Sequence, residues 1–184
     1  MGLHESSRWT SALTVFAVCF ALRLLVGTVI DVAVPVMKRA DIYSGIAENL
    51  TRGHGFVAEP GGEPITWRAP LYPAFLAGIY RLFGEHNEAA VFVAQVGLDS
   101  ITAVLVWGMG RRLFGNSLGL CAAIAFALNP LSAYYSLRFM SESLFTLGFT
   151  AVVAAWVWAV EEKRPVAFMA VGALVAVASL VKPV

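Results

Sequence analysis

Long apolar runs separated by short polar joints dominate this chain and leave it few folds to choose from. A helix that crosses a bilayer needs about 20 mainly apolar residues. Runs over residues 9–30, 89–107, 118–135, 144–160 and 165–184 meet or approach that length. Of the 184 residues, 59% are hydrophobic and 14% charged, where a soluble domain carries roughly 45–50% apolar and about 25% charged residues. The expectation is an all-α integral membrane protein with about five transmembrane helices, residues 1–184 being the N-terminal part of a single polytopic domain. The first run contains Arg23 and has no small-residue cleavage site near its end, so it reads as a retained helix rather than a signal peptide. A net charge of +1 with no basic tail or stripe excludes nucleic acid as a partner, because binding it needs clustered Lys and Arg.

Positive charge predicts orientation. Arg8, the pair Arg111 and Arg112, and the pair Lys163 and Arg164 fall on one side if the N-terminus is cytoplasmic. The segment 31–88 then lies on the outer face of a plasma or inner membrane. Within it, Ile42, Ile46 and Leu50 recur every fourth residue, which predicts an amphipathic helix over 41–52 suited to the membrane interface. Four glycines and two prolines between 53 and 64 mark irregular chain. A second helix is expected from Pro70 to Phe83, ended by Gly84. At 1.5 Å per residue it is about 21 Å long, too short to span, and so interfacial or re-entrant. Asn49-Leu50-Thr51 matches a glycosylation sequon, a pattern common by chance.

The informative residues are polar groups at the outer ends of these helices. Asp41 opens the amphipathic helix, either as an N-cap or as a carboxylate placed to act as a general base. Arg68, just before the second short helix, suits a phosphate held bidentately, or any lipid headgroup. Glu142 starts the fourth spanning run, where an acid is favoured by the helix dipole; Arg138, four residues earlier, is a candidate ion-pair partner. Lys182 ends the fifth run and either snorkels to the interface or faces a phosphate. Arg23 is expected to snorkel outward. Gln95 and Asp99 share one helix face, and interhelical hydrogen bonding is the expected role of Asp99. Cys19 and Cys121 read as small core residues. His4, His54 and His86 have no ligand spacing; His54 alone falls near the outer residues, and no protein-built metal site is expected.

Several segments, in order, resemble the GT-C type membrane glycosyltransferases, in the family 39 branch of protein mannosyltransferase-like and aminoarabinose transferase-like enzymes. They are Asp41-x-Tyr43 with Ala47-Glu48-Asn49-Leu50 and Gly53-His54-Gly55-Phe56; Trp67-Arg68-Ala69-Pro70-Leu71-Tyr72-Pro73; Gly110-Arg111-Arg112-Leu113-Phe114-Gly115; and Ser141-Glu142-Ser143-Leu144-Phe145. The resemblance implies transfer of a sugar from a polyprenyl-phosphate donor, by inverting direct displacement at the outer face, to an acceptor it does not name. It puts Asp41 in the place of the base, and Arg68 in that of the residue contacting the donor phosphate. Glu142 matches an acid at the start of the fourth helix, and Lys182 matches a basic element after the fifth. Tyr43 and Arg138 join them as substrate-binding candidates. Many relatives carry a second acid directly after the first, where this chain has Ile42, which leaves acceptor contacts and a divalent cation open. Family members are longer, so the chain reads as the N-terminal part of such an enzyme. The competing reading is a non-catalytic module that binds a polyprenyl lipid or assembles with a partner. A transporter piece ranks below both, since no internal repeat is present.

Overall fold

The computed structural model describes residues 2–33 and 42–182, with side chains for 11–30 and 42–182. Asp41 and Pro183 lie outside the described residues. Every regular element among those residues is a helix: α1 (Gly2–Ala33), α2 (Ile42–Thr51), α3 (Leu71–Phe83), α4 (Glu88–Phe114), α5 (Asn116–Ala127), α6 (Pro130–Ser136), α7 (Glu142–Glu162) and α8 (Pro165–Ser179). Three of them contain stretches long and apolar enough to cross a membrane: Ser11–Ile30, Glu88–Phe114 and Glu142–Glu162. Their exposed side chains include Leu13, Leu25, Phe149 and Trp156, a surface suited to lipid rather than to water. The chain is an all-α, multi-pass membrane protein.

Two of the five expected spans differ in form from a single long helix. The run 118–135 is not one helix: α5 and α6 meet at a 53° bend, and only together do they pass as a span. The cause is local. Asn129 caps α6 by accepting from the backbone N–H groups of Leu131 (3.0 Å) and Ser132 (3.2 Å), and Pro130 follows at the first helical position. The run 165–184 yields a helix of 15 residues, about 22 Å long and short of the ~30 Å apolar core. The second span, conversely, outruns expectation. It continues through Arg111 and Arg112 to Phe114, so these arginines form its last turn rather than a joint. Gly115, at φ 95°, ends it with a left-handed residue.

α4 is the central helix, packed against α1, α5 and α7. Val15 and Cys19 of α1, Ala103 and Trp107 of α4, and Ala123 and Ala127 of α5 form one buried cluster. Cys121, expected in the core, is exposed on α5. α4 and α5 approach closely where Gly110 meets Gly119. A Cβ on Gly119 would lie 2.5 Å from the Arg111 nitrogen and 2.7 Å from the Trp107 carbonyl oxygen. α7 and α8 form a hairpin, with Ala159, Ala167 and Val171 between them.

α2 and α3 lie as a layer over the start of α4. Ala47 of α2, Tyr72, Leu76 and Tyr80 of α3, Val91 of α4 and Phe139 share a core. Ser44 and Tyr80 fix the pair through a hydroxyl–hydroxyl bond of 2.8 Å. The apolar stripe of α2, expected to rest on lipid, is covered by α3 instead: Ile46 is fully buried and Leu50 packs on the shared core. A lone short helix gains more from such burial than from its own propensity. Asn49 then organises the irregular chain. Its amide nitrogen donates to the carbonyls of Val57 and Ala58, both at 3.0 Å, which occupies the atom a glycan would need. Its side-chain oxygen meets His54 Nδ1 at 3.3 Å, giving that histidine a place in the loop scaffold.

Candidate functional site

Five contacts bring the ends of five helices together. The Leu71 N–H donates to the Leu180 carbonyl (3.0 Å), stitching the start of α3 to the end of α8. Lys182 Nζ lies 3.4 Å from Glu142 Oε1, joining that end to the start of α7. Gln95, near the start of α4, donates to the carbonyls of Ser136 (2.7 Å) and Arg138 (2.9 Å) and accepts from Tyr72 (2.9 Å). Arg68 therefore stands three residues before one end of the Leu71–Leu180 bond, and Lys182 two residues after the other. At the opposite end of the bundle, an ion pair between Arg112 and Glu161 joins the last turns of α4 and α7.

Arg68 donates from Nη1 to the Tyr43 hydroxyl (3.1 Å). Its guanidinium lies 5.0 Å from the Tyr43 ring centre and 4.7 Å from that of Trp67. Tyr43 in turn packs edge-on to Tyr72. No carboxylate among the described residues pairs with Arg68, and its Nε is buried with no hydrogen-bond partner there. A cation held between aromatic faces with an unfilled donor is arranged to receive an anion.

Glu142 is the first residue of α7. One carboxylate oxygen faces Lys182; the other, Oε2, is buried without a hydrogen-bond partner among the described residues. Glu142 also lines a cavity of about 200 Å³, with Asn129, Ser132, Tyr135, Ser143 and Thr146 among the walls. Lys182 sits 5.9 Å from the Phe145 ring centre. Arg138, expected as a partner for Glu142, turns instead to Tyr134. It donates to that hydroxyl at 2.6 Å and stacks over the ring at 5.4 Å. Lys182 takes the ion-pair role. The sequence reading missed Tyr72, Gln95's link to the α6–α7 connection, and the hydroxyls of Ser132, Tyr135 and Ser143. The polar cluster around Tyr134-Tyr135-Ser136 inside an apolar run was the available signal.

Beneath the cavity, Arg23 departs from expectation. Rather than snorkelling, it is 1% exposed and pairs with Asp99, Nε to Oδ2, at 3.4 Å. It also donates to the carbonyls of Asn129 and Phe126 (both 2.9 Å) and to Ser132 Oγ (3.2 Å). Both carbonyls flank the break between α5 and α6 and already accept a backbone N–H, Phe126 from Asn129 (3.2 Å) and Asn129 from Ala133 (3.1 Å), so Arg23 adds a charged donor at the bend that the Asn129-Pro130 pair creates. Asp99 accepts from Ser136 at 2.5 Å, the interhelical bond expected of it.

A multi-pass helical membrane protein, with cations and a carboxylate gathered where several helices end, is the class this fold and site define. The chain belongs to the dolichyl-phosphate-mannose-protein mannosyltransferase family, whose model matches residues 67–184; it is a glycosyltransferase of the GT-C type. The matched region holds Arg68, Arg138, Glu142 and Lys182. No curated protein and no solved structure matches the chain.

Proposed function

We propose that this protein transfers a sugar from a polyprenyl-phosphate donor to a hydroxyl acceptor. The reaction occurs at the outer membrane face, with the N-terminus cytoplasmic and residues 1–184 forming part of one polytopic domain. The observation that carries the reading is Arg68, a guanidinium with no carboxylate partner among the described residues, set between Tyr43 and Trp67 near the helix ends where Glu142 lines its cavity. A donor of this kind has a tail that stays in lipid and a phosphate and sugar that reach water. Helix ends at a membrane surface meet both needs.

In this reading Arg68 and Lys182 hold the donor phosphate, and Arg138 with Tyr43 completes the polar rim. Glu142 orients Lys182 through one oxygen and accepts a sugar hydroxyl with the other. Asp41, two positions before Tyr43, takes the proton of the acceptor hydroxyl. The acceptor oxygen bonds to the anomeric carbon as the bond from that carbon to the phosphate oxygen breaks. The electron pair leaves on the phosphate, where the cations stabilise it. Direct displacement inverts the anomeric carbon.

The test incubates membranes bearing the protein with a panel of polyprenyl-phosphate-linked sugars. Transfer is expected from at least one donor, with Asp41→Asn lowering it about a hundredfold or more while donor binding persists. Undiminished transfer by Asp41→Asn removes the base assignment. Donor binding without transfer by the unaltered protein would favour a lipid-binding module.

A further inference from the structure

The end of the bundle opposite the candidate site holds a second concavity, of about 780 Å³, between the last turns of α4 and α7. That size falls in the range of ligand pockets. Leu105, Met109, Val157 and Trp158 give it apolar walls, and Arg111 and Arg112 complete its lining. Their charges differ in availability. Arg112 is neutralised by Glu161, and nearby Arg164 lies 3.8 Å from Glu162. Arg111 has no carboxylate partner among the described residues. Its guanidinium lies 4.5 Å from the ring centre of Trp107, whose own N–H is tied to Asn116 at 3.2 Å. The stack holds the arginine over a buried indole and leaves its N–H edge for another group. Burial of Trp107 and the Gly110–Gly119 contact fix this corner.

We infer that this groove binds one anionic glycerophospholipid. Its acyl chain lies along Leu105, Met109, Val157 and Trp158, and its headgroup phosphate accepts from Arg111. Charge complementarity selects the occupant: the groove has large apolar side chains in its walls and, among the described residues, one guanidinium without a carboxylate partner, near the ends of α4 and α7, the depth of the headgroups. Basic pockets between membrane helices hold anionic headgroups in this way. The inference does not depend on the transfer reaction and concerns residues on the far side of the bundle from Arg68 and Glu142.

The test reconstitutes the protein in bilayers of equal parts phosphatidylcholine and phosphatidylglycerol, re-extracts it, and measures the retained lipids by mass spectrometry. Phosphatidylglycerol is expected to be enriched about fivefold over its bulk ratio, the factor for one basic side chain at an anionic surface. Arg111→Gln should abolish the enrichment, and Arg81→Gln, at an exposed position of α3, should preserve it. Unchanged thermal unfolding of Arg111→Gln in lipid-free detergent keeps the comparison valid. Should that variant unfold early, Arg111→Lys, which keeps the charge, must retain enrichment. Retention at the bulk ratio, enrichment that survives Arg111→Gln, or no retained lipid at all would overturn the inference, the last pointing to protein covering the groove.

Discussion

Arg68 holds its charge against Tyr43 and Trp67, with no acid beside it among the described residues, which suits it to a phosphate ligand. A hydrogen bond to a charged group contributes about 1.5–3 kcal/mol. Arg68→Gln should therefore lower kcat/KM for the lipid-linked donor by roughly ten- to a hundredfold, and Arg68→Lys should recover part of it, since Lys supplies charge without the fork. Steady-state transfer rates check this, and equal activity of Arg68→Gln would remove Arg68 from donor binding. A second residue-scale prediction concerns Glu85. Hydrogen bonding by Arg52, at 2.6 Å, holds its carboxyl below the ordinary 4.5. Its folded value is depressed, so the pair's contribution is present at neutral pH and is lost as pH falls through that value. Amide protection near Thr51 and Arg52, corrected for the intrinsic exchange rate, should fall on acidification below about pH 4.5, and Glu85→Gln should flatten that response. At this scale the sequence revealed residue types and not partners. Asp99's bond was legible because Gln95 and Asp99 share a helix face. Arg23's partners were not, because the bend it satisfies comes more than a hundred positions later and the pairing is made only by packing.

The bend between α5 and α6 shows what element-level reading captures and misses. The apolar run promised a span, and hydropathy alone carried that expectation across Asn129-Pro130, although the pair is a helix-start signal. The opposite error lengthened α8, because apolar character continues past Ser179 while the helix does not. α3 was legible to within a residue, since Pro70 and Gly84 punctuate it at both ends. The bend itself leads to a prediction. Asp99→Leu leaves Arg23 buried with its charge uncompensated, a loss of about 3–5 kcal/mol. Arg23→Met added to it should restore part of that stability, because the unpaired charge is gone, though the arginine's bonds to the carbonyls of Phe126 and Asn129 are lost. Unfolding in mixed micelles measures both; strictly additive losses would show that the two residues do not act as a pair. The α4–α5 contact yields another. Gly119→Ala drives a methyl into the backbone of Arg111 and Trp107 and should cost about 1–3 kcal/mol. Gly108→Ala, which meets nothing within 4 Å, should be neutral or stabilising by up to about 1 kcal/mol.

Across the whole molecule, the two ends of the bundle have different chemistry. One carries the Lys182–Glu142 pair, with Arg138 just before α7 and Arg68 just before α3. The other carries Arg111, Arg112, Lys163 and Arg164. The order of apolar runs made the membrane class legible without tertiary information, because bilayer thickness sets a length that sequence displays directly. Assigning Arg68 and Glu142 to one site needed the family resemblance, since 74 positions separate them and no periodicity links α3 to α7. The account stands on their acting at one site. A double-mutant cycle on transfer from the polyprenyl-phosphate donor tests that most directly, using Arg68→Gln, Glu142→Gln and both together. Groups that serve one transition state are strongly non-additive, so the double variant should lose little more than the worse single variant. Losses that multiply independently, or a Glu142→Gln variant as active as the unaltered protein, would contradict the account.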